Sequence, residues 1–277
     1  MTADDVWFNG YRHLTDQLGA GEGEVLGNLL AAAPKRWNQP FAGKAVVVPD
    51  DGALPQIALA GGAVLTLLSP YRENLAALAA EWTDEMANWA EKELAQQKKV
   101  AGDKLGKREP LEELDIDLVK QLADPHKTPF SEDATKPNGS SIAFLFEHGG
   151  RRLLFGADAH PSRLLRSIER LSPNGPLALD AFKLSHHGSA NNLSPALLAK
   201  IDCPRFLVSS NGDSYGHPNP ETLARIVTSS PNLKSLCFNY RGDYTRVWDE
   251  RSVKERFCYD VAYPSGAGDA GFVLELE

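Results

Sequence analysis

An α/β fold is what this sequence predicts, and three observations carry the prediction. Short apolar runs that read as strands alternate with segments of helical spacing. Helical segments open on residues suited to a first turn, as at Ser194-Pro195 and Pro220. Between two apolar runs stands Glu147-His148-Gly149-Gly150, a glycine turn that adds an antiparallel hairpin to the pattern.

Taken in order, Val6-Trp7-Phe8 is an apolar run that reads as a strand. Residues 22–33 have helical spacing at Val25, Leu26, Leu29 and Leu30, ended by Pro34. Residues 44–48 read as a strand closed by the turn Pro49-Asp50-Asp51-Gly52, and residues 63–68 as a buried strand. Ser69-Pro70 reads as a helix start. The helix after it repeats apolar residues at Leu75, Leu78, Trp82, Met86 and Trp89, a stripe that suits a core face and, as an alternative, a partner or lipid surface.

Residues 96–137 change character. A lysine-rich stretch runs to Arg108, acidic residues follow through Asp117, and Pro125, Pro129 and Pro137 punctuate the rest. This reads as an exposed insertion with one short helix over 111–122. The sequence then predicts a hairpin (141–146 with 152–155), helices over 161–171, 195–200 and 220–227, and strands over 181–184, 205–209 and 234–238. Residues 244–248 and 271–276 read as terminal strands. There is no internal repeat, and a single domain over 1–277 is expected.

Composition narrows the function. A net charge of −8 and a pI near 5.4 argue against nonspecific nucleic-acid binding, while leaving room for a local basic patch. The three cysteines, Cys203, Cys237 and Cys258, are widely spaced and odd in number, so no disulfide framework is expected and a reducing cytoplasm fits. The acidic start lacks the apolar core of a signal peptide, and no apolar run approaches the roughly 20 residues that span a bilayer.

Candidate chemistry lies in three loops, each after a strand-like run. They are Gly156-Ala157-Asp158-Ala159-His160, Ser185-His186-His187-Gly188-Ser189, and Tyr215-Gly216-His217-Pro218-Asn219-Pro220-Glu221. Loops at the carboxyl ends of strands are where open α/β sheets build their sites. Asp158, His186, His187 and His217 suit Zn²⁺, Mn²⁺ or Fe²⁺. Gly188, Ser189 and Asn211 offer room and donors for an anionic substrate. The plainer readings stand beside these. A His-His pair is often surface, Asp near Gly is common in turns, and His217 beside Pro218 suits a structural turn. A serine hydrolase built on Ser189 lacks the elbow motif it would need.

In combination, Asn138-Gly139-Ser140-Ser141 with its strand and the three loops resemble the C-terminal half of a metallo-β-lactamase-fold hydrolase. The resemblance is to the branch that includes the hydrolase domain of the bacterial competence (DNA-uptake) channel protein, and it covers about residues 138–226. It implies an αββα sandwich, metal-dependent cleavage of a phosphodiester or other ester, Asp158 and one histidine of the pair as metal ligands, and His217 near the substrate. The family's main motif, His-x-His-x-Asp-His, does not occur here. The expectation is therefore a chain lacking the N-terminal half of the fold, with weak or partial zinc, manganese or iron occupancy and impaired turnover. An apolar sheet face would be left for a homodimer or a missing N-terminal segment to cover. The alternative is a non-catalytic binding module on the same fold.

Overall fold

The computed structural model describes residues 3–10, 22–32, 36–87, 108–229, 233–265 and 272–276. Its centre is one mixed eight-stranded sheet with the order β1-β2-β3-β4-β6-β8-β9-β10. The strands are β1 (Gln56–Ala58), β2 (Val64–Ser69), β3 (Ala143–His148), β4 (Arg151–Phe155), β6 (Ala181–Lys183), β8 (Arg205–Val208), β9 (Lys234–Phe238) and β10 (Tyr259–Ala262). Strands β1 to β4 pair antiparallel, and β4, β6, β8, β9 and β10 pair parallel. A separate two-stranded ribbon joins β5 (Leu177–Ala178) to β7 (Ile201–Asp202). The class is α/β, as the alternating pattern predicted.

Register explains where the core lies. Thr66, Leu145, Leu154, Phe182, Phe206 and Leu236 stand side by side across six strands, and all are buried. Residues paired in register share a face. This face joins a core with Leu164 and Ile168 of α5 (Pro161–Leu171) and with Leu223 and Ile226 of α7 (Pro220–Thr228). On the other face Leu65, Phe146 and Leu153 form one row and Phe144 and Phe155 the next. These residues are half-buried rather than open, and the rings of Phe144 and Phe155 stack at 5.1 Å. Truncating Leu164 to alanine is expected to cost about 3 kcal/mol in urea unfolding, because a fully buried leucine leaves a cavity in this layer.

Most local predictions agree with the structure, including α1 (Glu22–Ala31), the hairpin at Gly149-Gly150, and α6 (Pro195–Ala199). The Ser194 hydroxyl caps α6 by accepting from the Leu197 amide. Several differ, for identifiable reasons. Residues 6–8 and 44–48 are not strands; each region makes one isolated bridge, Val6 with Trp37 and Val48 with Tyr71. Side-chain amides supply what a ladder would. Asn9 exchanges two 2.8 Å hydrogen bonds with the Val46 backbone, and Asn38 accepts from the Phe8 amide and donates to the Lys44 carbonyl.

Ser69 does not cap a helix. It ends β2, and its buried hydroxyl has no partner among the described residues. Helix α2 (Arg72–Ala87) starts two residues after Pro70, and the Asn74 side chain accepts from the Tyr71 amide at its entry. Leu75 and Leu78 of the predicted stripe are buried, while Trp89 lies outside the described residues. Residues 244–248 are not a strand. Arg246–Asp249 is a 3-10 turn, set by the Thr245 hydroxyl bridging the Tyr240 carbonyl and the Gly242 amide. Residues 272–276 are irregular rather than extended in a sheet.

Of the expected insertion at 96–137, residues 96–107 lie outside the described set; residues 108–137 are mostly exposed and carry one short helix, and that helix is docked on the core through Leu114 and Val119. Helix α3 (Ile116–Ala123) buries Val119 completely and packs on α7 and on α8 (Arg251–Phe257). Its Asp115 caps it by accepting from the Leu118 amide at 2.7 Å.

Candidate active site

Strands β4, β6 and β8 are parallel neighbours in the sheet, so their carboxyl ends share one edge. The loops that leave them are the three the sequence singled out. They line one cleft of about 970 Å³ that contains Asp158, His186, His187, Ser189, Asn211 and His217. Gly188 does not line it. This glycine is buried at φ +87°, with its carbonyl accepting from the Asn219 amide and with Pro218 2.9 Å from where a Cβ would stand. Its role is the turn itself, which a side chain would disrupt.

Each histidine is held differently. His186 and His187 both take left-handed backbone conformations, φ 44° and 54°. His187 Nδ1 lies 2.5 Å from the Ser209 carbonyl, which can only accept, so Nδ1 carries the proton and Nε2 the lone pair. His186 Nδ1 lies 3.1 Å from Asn192 Oδ1. The Asn192 amide nitrogen donates to Asp133 and to the Asp158 carbonyl, which leaves its oxygen as an acceptor; with Asp133 Oδ2 also near Nδ1, two acceptors face the one donor there, Asn138 Nδ2 at 3.3 Å, and favour the His186 proton on Nδ1. His217 packs edge-on to His186 at 5.2 Å, and its buried Nδ1 has no hydrogen-bond partner among the described residues. Burial, reinforced by His186, His187 and Arg108, pushes His217 down to about 4, so it is neutral at pH 7.

Behind these rings stands a carboxylate the sequence reading missed. Asp133 is 9% exposed. It accepts from the Thr135 amide and hydroxyl through one oxygen, and from Asn138 Nδ2 (2.7 Å) and Asn192 Nδ2 (3.2 Å) through the other. That second oxygen lies 3.5 Å from His186 Nδ1. Burial pushes the carboxyl up, but these hydrogen bonds outweigh it and hold the group at about 2. Two further groups were also missed. Arg108 lines the cleft, its guanidinium bonded to Glu221 and its carbonyl accepting from the Tyr244 hydroxyl. Lys183, at the end of β6, is pushed below the ordinary lysine value by burial, while the Asp158 charge opposes that shift.

The donor set fits a metal only in part. His186 and His187 each keep Nε2 as the lone-pair nitrogen, and the Asp158 carboxylate makes no hydrogen bond among the described residues. Lys183, however, already supplies positive charge toward Asp158. Among the described residues no group of three or more His, Cys, Asp or Glu is placed to hold a metal ion, and three protein ligands are the usual complement of catalytic zinc. No helix among the described residues is long and apolar enough to cross a membrane.

The fold and cleft define an α/β chain with a polar, histidine-rich site at the carboxyl edge of parallel strands. No family model, curated protein or solved structure matches it.

Proposed function

We propose that this chain is a hydrolase-type domain of the metallo-β-lactamase superfamily, with the αββα architecture its motifs resemble. Its cleft binds a phosphodiester or other ester, and its turnover is impaired. The supporting observation is that the three resemblance loops, far apart in sequence, open into one cleft at one sheet edge. Asp158 with Nε2 of His186 or His187 would hold a divalent ion, at less than the full ligand complement, and a bound ion would supply an activated water. The rest of the work falls to this chain's own groups. Arg108 and the hydroxyl and amide groups of Ser189, Ser209 and Asn211 bind and orient the anionic ester. His217 is neutral and able to accept a proton, but a group near 4 is a weak base at pH 7. A non-catalytic binding module is the second reading, motivated by a sequence that contains no His-x-His-x-Asp-His.

The test is metal titration of the purified chain with zinc or manganese, followed by hydrolysis of bis(p-nitrophenyl) phosphate. Weak metal binding is expected, abolished in both Asp158→Ala and His186→Ala, with slow hydrolysis lost in the same variants. Variants that hold metal as the parent does would refute the site assignment. Phosphate-ester binding with no turnover in any metal would establish the second reading.

A further inference from the structure

A second cavity of about 410 Å³ adjoins the polar cleft, with Pro137 lining both. Its other walls include Trp7, Phe8, Leu78 and Ile142. The run 6–8, which reads as a strand, thus serves as a wall.

The rings are anchored from behind. Trp7 donates through Nε1 to Asp5 at 2.7 Å and packs edge-on to Phe41 at 5.4 Å, and Phe8 stacks on Trp37 at 6.3 Å. The polar groups near the cavity are mostly occupied. The amide of Asn9 is engaged through both its oxygen and its nitrogen with Val46, and the Ser140 hydroxyl donates to the Pro137 carbonyl at 2.7 Å. What remains is anchored aromatic and aliphatic surface with little hydrogen-bonding capacity. Such a surface takes flat apolar groups by stacking and dispersion, and reads their shape rather than their polar edges.

We infer that this cavity is a subsite for the aryl group of an ester whose anionic head occupies the main cleft, so that the substrate class is aryl rather than simple alkyl esters. The inference rests on the proposed reading of the main cleft. The argument for this occupant is continuity: Thr135, Pro137 and Asn138 border the polar side of one short segment, and Pro137, Ser140 and Ser141 border the apolar side. Pro137 is the wall that the cleft and the cavity have in common, and the proposed ligand crosses there.

The experiment is calorimetric titration of the full chain with inorganic phosphate, methyl phosphate and phenyl phosphate. Phenyl phosphate is expected to bind about tenfold more tightly than methyl phosphate, the gain a stacked ring contributes. Leu78→Phe, which fills the cavity, and Trp7→Leu, which removes a ring wall, should each erase that preference and leave methyl phosphate affinity unchanged. Using two variants guards against one that fails to fold. Equal affinity for the two esters, or a preference that survives in both variants, would overturn the subsite. If phosphate and methyl phosphate do not bind but phenyl phosphate does, and Leu78→Phe removes that binding, the subsite stands and the reading of the main cleft falls. If nothing binds, both fall.

Discussion

Replacing Asp133 with alanine is expected to destabilise the protein by about 2–4 kcal/mol at pH 7, because it strips the acceptor from several donors at once. The Asn138 and Asn192 amides and the Thr135 amide and hydroxyl all point at this one carboxylate. Asp133→Asn keeps one acceptor oxygen but sets an amide against a donor, so a smaller loss of about 1–2 kcal/mol is expected. The pH dependence separates this from a simple packing loss. The folded carboxyl sits at about 2, below its unfolded value near 3.9. A group whose folded value is depressed contributes stability above its unfolded value and loses it as pH falls through the folded one. The parent should therefore lose stability between about pH 4 and pH 2 by a step that the alanine variant lacks. Urea unfolding at pH 7, 4 and 3 measures both effects. An alanine variant within about 0.5 kcal/mol of the parent at pH 7 would show that the network does not hold this side of the cleft together.

Asp133 also shows where sequence reading stops. The loops carrying Asp158, the His186-His187 pair and His217 were legible because each sets glycine beside chemically active residues in a loop that follows a strand-like run. The parallel pairing of β4, β6 and β8 then brings them together. Helix α5, too, coincides with its predicted span, since its apolar residues repeat at helical spacing. Asp133 stands instead among prolines and charges, a composition that reads as solvated surface. Thr135 and Asn138 are near neighbours in sequence, but Asn192 and His186, which place the carboxylate behind the cleft, lie about 50–60 residues away, so nothing local marks it as a site residue. Lys183 was hidden for a related reason: it ends a strand as an ordinary lysine, and only the fold places it near Asp158. The strands predicted at 44–48 and 244–248 failed on side-chain chemistry. The residues there favour extended structure, but the Asn9 and Asn38 amides and the Thr245 hydroxyl take backbone partners that a ladder would use.

Gly156→Ala is expected to damage the site through a single methyl, and its cause can be isolated. Gly156 follows β4 and precedes Asp158. Its amide donates to the Lys183 carbonyl, and the next residue's carbonyl accepts from the His186 amide at 2.7 Å. The loops bearing Asp158 and the histidine pair are therefore stitched together at this point. An added Cβ would meet Ser185 Oγ at 2.1 Å, the Ser185 amide nitrogen at 3.0 Å and the Phe182 ring at 3.1 Å. Overpacking of this kind costs about 1–3 kcal/mol and moves backbone, here both site loops at once. The worst contact is with a buried hydroxyl that has no partner among the described residues. Ser185→Ala alone should thus be neutral or mildly stabilising, since it removes a polar atom that was buried without compensation. Combined with Gly156→Ala it should restore most of the loss, with a favourable coupling of about 1–2 kcal/mol in a double-mutant cycle. Additive losses would place the clash on the Ser185 backbone instead, leaving the two loops too tightly joined at Gly156 for any side-chain change to relieve.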